Sequence, residues 1–231
     1  GVILTFVDIS DRKQAEQTLS YQAFYDSLTG LPNRLLFKEK LQHALLRLSR
    51  QHSQFLAVLY LDLNGFKEVN DSLGHSAGDL LLIEVGHRLN EVVRSNDAVS
   101  RLGGDEFAIL LEEINSPEQS LEISSRIHKT LARCFTIESR QVTISTSIGV
   151  AIHSQKDSLS GSIETLMENA DMAMYRAKRR GIAETEIFSP QMRESAAATM
   201  KMKNQLSLAF DRQEFVLHYQ PVFGLKDETL Q

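Results

Sequence analysis

Three carboxylates stand where folding could bring them together. Asp62 lies at the end of the apolar run that begins at Phe55, and Asp105 and Glu106 follow Gly103-Gly104 between two further apolar stretches. A buried strand ending in an acid, beside a hairpin tipped with acids, puts oxygen ligands at one edge of a sheet. Mg2+ takes oxygen ligands and is typically held by one or two carboxylates together with substrate phosphates. The glycine pair matters separately: without a Cβ and tolerant of positive φ, it lets a backbone or a nucleotide approach closely. Gly-Gly-Asp-Glu alone reads as a tight hairpin with a solvated acidic tip, so the surrounding motifs must decide between the two readings.

The elements that would position these acids follow from periodicity. Residues 1–9 read as a strand and Asp11 to Tyr21 as a helix leading away from it. Asp26 to Arg34 is a turn cluster. Phe37, Leu41, Ala44, Leu45 and Leu48 then mark a helix, Phe55 to Leu63 a buried strand, and Leu82, Val85, Leu89 and Val92 a second helix. Ala98–Leu102 and Phe107–Leu111 flank the glycine turn as a hairpin. Ile123, Ile127 and Leu131 suggest a helix, and alternation from Val142 to Ile152 predicts one half-buried strand. A helix from Ile163 to Ala177 stops near Gly181, and Ile187-Phe188 is a candidate closing strand before Pro190. Met192 to Phe210 reads as a further helix and Phe215 to Val222 as a new strand. This order predicts an α/β or α+β layered domain around a central sheet.

Composition narrows the classes. The chain has 231 residues, room for one full domain and part of another, or for two small ones. At 42% apolar and 24% charged it is an ordinary globular composition, which excludes a wholly disordered or collagen-like chain. Lys and Arg number 25 against 30 Asp and Glu, a net charge of −5. A general nucleic-acid binder shows a basic excess, so no nucleic-acid partner is expected. Cys134 is the single cysteine, which rules out internal disulfides and fits a reducing, cytoplasmic compartment. The central apolar run from Phe55 to Leu61 is seven residues, far short of the ~20 that span a membrane. The start, Gly1 to Val7, lacks a basic region and an initiator Met, so it reads as the interior of a longer protein rather than a signal peptide. A membrane tether would have to come from elsewhere in that protein.

Four motifs occur in order. Asp26-Ser27-Leu28-Thr29-Gly30-Leu31-Pro32-Asn33-Arg34 opens the series, and Asp62-Leu63-Asn64-Gly65-Phe66-Lys67-Glu68-Val69-Asn70 continues through Gly74-His75-Ser76-Ala77-Gly78-Asp79. Arg101-Leu102-Gly103-Gly104-Asp105-Glu106-Phe107 and Asn169-Ala170-Asp171-Met172-Ala173-Met174-Tyr175-Arg176-Ala177-Lys178 complete it. From about Asp26 to Pro190 the chain resembles the GGDEF domains, the diguanylate cyclases, which condense two GTP into cyclic di-GMP and release pyrophosphate. The resemblance implies a central, mostly antiparallel five-stranded sheet flanked by helices, with the domain at 23–190. Residues 1–22 are similar to the exit of a PAS sensor and its helical linker. Residues 191–231 are similar to a linker helix and the first strand of a truncated EAL phosphodiesterase domain, without its Glu-Ala-Leu motif.

The resemblance also implies roles. Asp62, the Leu63 carbonyl and Asp105 would hold Mg2+ (or Mn2+) on GTP phosphates. Asp105 would serve as base for the attacking 3′-hydroxyl, with Glu106 supporting the metal. Lys67 would stabilise charge on the transferring phosphoryl, and Lys178 would bind phosphate. Asn70 and Asp79 would read guanine, whose N1–H and 2-amino donors suit a carboxylate, and His75 would make a further substrate contact. Arg94 and Asp97, with five residues between Asp97 and Gly103, match an R-x-x-D site at which cyclic di-GMP inhibits. As isolated residues these have plainer readings: a solvated lysine, a structural histidine, an i, i+3 ion pair. One departure stands out. The family usually places Arg or Lys and then Asn where this chain has Ile182 and Ala183, which removes a phosphate-side cation and predicts weaker GTP binding or lower turnover. Asn64, where Asp is also common, is expected to be neutral.

Since each such domain binds one GTP, the reaction implies at least a transient homodimer. The leading expectation is an active cyclase. The alternative is a quiet module that binds GTP or cyclic di-GMP and regulates an adjacent EAL phosphodiesterase. A purely structural dimerisation module leaves the retained site residues unexplained.

Overall fold

The computed structural model describes residues 21–48, 55–154, 163–181 and 183–218. The strand expected at 1–9 and the helix expected from Asp11 fall outside these residues, apart from the helical Tyr21. The chain divides into two compact units, Gly1–Ser189 and Pro190–Gln231.

In the first unit, α1 (Arg34–Leu48) leads to β1 (Phe55–Asn64), α2 (Phe66–Leu73) and α3 (His75–Val92). The hairpin β2 (Ala98–Gly103) and β3 (Glu106–Ile114) precedes α4 (Pro117–Leu131) and a small hairpin, β4 (Phe135–Ile137) and β5 (Arg140–Val142). β6 (Ser145–Ser154), α5 (Ile163–Arg180) and β7 (Thr185–Ile187) complete it. The main sheet has the order β2-β3-β1-β6-β7, antiparallel except for the parallel β6–β7 pair. This is the expected five-stranded, mostly antiparallel sheet with helices on its faces.

β1 occupies the centre, and its apolar run lacks alternation because both faces are covered. Leu59, Leu61, Phe107, Ile109, Ile148 and Val150 pack with Leu81, Val85 and Leu89 of α3 and Ile127 of α4. On the other face Val58, Tyr60, Ala108 and Leu110 pack with Phe37 and Leu41 of α1 and Met167, Ala170 and Met174 of α5. Burying this much aliphatic surface is the main favourable contribution to folding, at roughly 1.5–3 kcal/mol per large side chain.

The structure corrects three expectations. The alternation from Val142 to Ile152 is two strands, β5 and β6, and not one. Val142 and Ile144 do join the same core as Ile148 and Val150, so the periodicity reported the face but not the break. Nor is β6 half-buried: its small residues lie under α5, and a Cβ at Gly149 would fall 2.0 Å from the Ala170 carbonyl oxygen. Close approach of helix to sheet there requires glycine. At Phe215–Val222, residues 215–218 form no strand, since an extended segment without a paired edge has no ladder to join; 219–222 fall outside the described residues.

In the second unit α6 (Pro190–Asp211) begins with proline, where its missing N–H costs nothing. Among the described residues no helix is long and apolar enough to cross a membrane.

Candidate active site

The register brings the acids together. Asp62 of β1 pairs with Glu106 of β3, so their side chains share one face, and period-two alternation puts Tyr60 on it too. Asp62 is buried at 8% exposure, and its main-chain carbonyl accepts the Thr146 hydroxyl at 2.9 Å. Lys178, in the last turn of α5, reaches Asp62 Oδ1 at 2.6 Å. Asp105 lies in the turn between β2 and β3. Burial and the Asp62 charge raise its carboxyl above the ordinary value, against the opposing pull of its own backbone N–H, Lys178 and Arg101.

Glu106 is held differently. The Tyr60 hydroxyl donates to Glu106 Oε2 at 2.7 Å, and an Arg34 guanidinium nitrogen lies 3.5 Å from the same oxygen and 3.2 Å from the Tyr60 oxygen. Burial and the hydrogen bond to Glu106 push the Tyr60 hydroxyl up, so it stays a donor. Asp171 of α5 is raised by partial burial and by the charges of Glu106 and Asp62. Tyr60, Arg34 and Asp171 were given no role on sequence grounds. The i, i+2 relation of Tyr60 to Asp62 was the available signal.

The hairpin is braced from the other side. Gly103 and Gly104 have φ of 141° and 54°, values that side chains with a Cβ rarely adopt. Arg101 donates to the Gly104 carbonyl through two nitrogens, at 3.0 and 2.8 Å, and to Asp26 Oδ1 at 2.9 Å. Asp26 also accepts the Thr29 N–H and hydroxyl, at 2.9 and 2.6 Å. A cleft of about 450 Å³ lined by Asn33, Arg34, Lys38, Arg101 and Gly103 opens on this side.

Beyond Asp62 the chain turns at Gly65, φ 84°, into α2. Lys67 is exposed in its first turn. Asn70 Oδ1 is buried without a hydrogen-bond partner, and a Cβ at Gly78 would lie 1.9 Å from it. Gly78 thus makes room for Asn70, beside exposed Asp79 and His75 of α3. Leu63 has a buried side chain, leaving only its main chain for the site. Asn64 is occupied with Ser145 and Ser147 of β6. Elsewhere, the Asp97 carboxylate accepts the Arg94 N–H at 2.9 Å and the Glu112 N–H at 3.2 Å, tying the turn before β2 to β3, while Arg94 is exposed.

Residues 23–184 match the family model described as diguanylate cyclase, GGDEF domain. The chain belongs to the GGDEF-domain family. The bifunctional diguanylate cyclase/cyclic di-GMP phosphodiesterase MucR of Pseudomonas aeruginosa is 40% identical over 211 residues, which are 90% of this chain and 30% of MucR. The cyclic di-GMP phosphodiesterase NbdA of the same organism is 36% identical over 92% of this chain and 27% of its own length. The chain therefore spans about a third or less of these curated relatives. Among solved structures, the GGDEF domain of TpbB from P. aeruginosa superposes with a TM-score of 0.70 at 36% identity, covering 75% of this chain and 99% of that one. GGDEF domains of this family are associated with cyclic di-GMP signalling, in relatives named as cyclases and in relatives named as phosphodiesterases.

Proposed function

We propose that this chain is a diguanylate cyclase domain, which condenses two GTP, one held by each of two copies, into cyclic di-GMP with release of pyrophosphate. The observation that carries this reading is the meeting of Asp62, Asp105 and Lys178 at the end of β1. The donor set, two carboxylates and the Leu63 main chain, suits Mg2+ or Mn2+. Among the described residues no three His, Cys, Asp or Glu side chains form a metal cage, so further ligands would come from phosphate and water. When bound, the ion supplies charge neutralisation and a lowered pKa for a hydroxyl it touches.

The protein's own groups do the rest. Asp105 accepts the proton of the attacking 3′-hydroxyl, and its raised proton affinity suits that task. Lys67 and Lys178 balance charge on the transferring phosphoryl and on the departing pyrophosphate. Glu106, fixed by Tyr60 and Arg34, adds negative charge beside the acidic pair. Asn70 and Asp79 read guanine and His75 makes a further contact; the buried Asn70 oxygen, packed against Gly78 without a hydrogen-bond partner, leaves this side chain with unmet polar capacity. Adenine leaves such polar groups unpaired and is rejected. Arg94 and Asp97 form the product brake: two backbone N–H groups already hold Asp97, and the Arg94 guanidinium can fork onto guanine or phosphate. PAS-like and EAL-like segments flank the domain in a longer chain.

The test is turnover of GTP with Mg2+, followed by chromatography for cyclic di-GMP and pyrophosphate, before and after stripping co-purified cyclic di-GMP. Product that disappears in Asp105→Ala establishes the cyclase, and a rise after stripping supports the brake. A second reading, a quiet regulatory module, is favoured by the phosphodiesterase relatives that share this segment and by Ile182 at the usual cation position. Bound GTP without product would select it.

A further inference from the structure

The contact between Lys178 and Asp62 is the closest ion pair of the site. The Asp62 side chain is 11% exposed, and the ammonium that reaches it, at 2.6 Å, is 45% exposed on a flexible stem. Three other cations have their own partners: Arg101 with Asp26 and Gly104, Arg34 with Tyr60 and Glu106, and Arg180 with Glu186. Asp105 and Asp171 both feel the Asp62 charge, so several carboxylates share one neighbourhood with this ammonium in direct contact. Its place in the last turn of α5 adds the negative end of the helix dipole, which favours a cation there.

We propose that Lys178 is the resident counter-ion of the acidic site, seated on the carboxylate that a free divalent cation would otherwise take, and that it leaves only when nucleotide phosphates offer it another partner. This rests on reading Asp62 and Asp105 as metal-binding. A divalent cation arriving alone meets a like charge already on Asp62. Arriving with a nucleotide, it brings negative oxygens that relieve both cations, and the lysine stem is long enough to turn from carboxylate to phosphate. Metal and nucleotide then bind together rather than metal first, and the site without nucleotide does not collect ions.

The experiment is Mn2+ binding to the nucleotide-free protein, read from the electron paramagnetic resonance signal of free Mn2+. An opposite charge within about 4–6 Å lowers a carboxylate's affinity for a proton by about tenfold or more, and a divalent cation meets the same repulsion. Lys178→Met is therefore expected to tighten Mn2+ binding by about tenfold or more relative to wild type, whereas Lys178→Arg, which keeps the charge, leaves it weak. Arg180→Met removes the same charge from the same helix turn but leaves Asp62 paired, and is expected to change nothing. Adding Asp62→Asn to Lys178→Met should abolish the gain. Equal Mn2+ binding by wild type and Lys178→Met overturns the proposal, as does an equal gain in Arg180→Met, which would mark a diffuse charge effect. Repeating the titration with GTP, read as the loss of free Mn2+ beyond that of a protein-free GTP solution because GTP itself chelates the ion, separates the two readings. If wild type binds Mn2+ with GTP but Lys178→Met gains nothing without it, the counter-ion proposal alone fails. If neither condition shows Mn2+ binding in either protein, the metal-site reading fails with it.

Discussion

On one side of the Gly103-Gly104 turn, Asp26 accepts two bonds from Thr29 and one from Arg101, and its side chain is 21% exposed. Burial alone would raise its carboxyl, but Thr29 and Arg101 more than offset burial and hold it below the ordinary value. On the other side, Asp105 is raised by burial and by the Asp62 charge. The residue type is the same and the two acids border one turn, yet one is saturated with donors and the other is short of them. A saturated acid fixes a structure. An acid left short of donors retains demand for a cation or a proton, which is what chemistry on phosphates uses.

The largest separation of the two should come from removing each acid. Asp105→Ala is expected to lower cyclic di-GMP formation by about 10²–10⁴-fold, the usual worth of a positioned general base, with an unchanged circular dichroism spectrum. Asp26→Ala leaves Arg101, 11% exposed, without its carboxylate. Loss of a charge-assisted network in a partly buried setting costs about 2 kcal/mol, and a domain of this size should melt several degrees lower, read by scanning calorimetry. Comparable destabilisation by Asp105→Ala would dissolve the contrast.

How much of this contrast is legible in the sequence differs by residue. The strand carrying Asp62, the hairpin carrying Asp105 and the helix carrying Lys178 were legible, because each has a local signature: an unbroken apolar run, a glycine turn, a 3.6-residue stripe. The break between β5 and β6 was not, because Val142, Ile144, Ile148 and Val150 feed one core on both sides of it. The β4–β5 hairpin was missed too: three-residue strands are too short for periodicity to register. Partners far apart in sequence stayed hidden for another reason. Arg101 on Asp26, Tyr60 and Arg34 on Glu106, and Lys178 on Asp62 all depend on register and helix placement, which motifs place only by likeness.

Glu106 lies between the two extremes and sharpens the comparison. It has a neutral donor at 2.7 Å and a cation at 3.5 Å, with half of the Arg34 side chain exposed. Tyr60→Phe removes one hydrogen bond to a charged acceptor, commonly about 1.5–3 kcal/mol. Because Glu106 keeps partial access to water, the expected outcome is at the low end, a fall of about tenfold in turnover at unchanged GTP affinity. The melting temperature should fall by about 3–6 °C, less than for Asp26→Ala. A Tyr60→Phe variant with wild-type turnover would mean that Glu106 needs no fixing.

The smallest effect is the pH dependence of stability, and here the two acids should have opposite signs. The folded-state value of Asp26 is lowered, so its contribution is present above the ordinary value of 3.8 and is lost as pH falls through the lower folded value. Asp105 is raised, so at neutral pH it carries a penalty that is relieved as pH falls through its raised value towards 3.8. Urea denaturation between pH 7 and pH 3 should therefore find Asp105→Asn more stable than wild type at pH 7, by about 0.5–1 kcal/mol, with the gap closing on acidification. Asp26→Asn should be less stable than wild type at pH 7, with its gap closing only below 3.8. An Asp105→Asn variant that is less stable at pH 7 would mean that its carboxylate has donors as sufficient as those of Asp26, and the contrast between the two acids would fail.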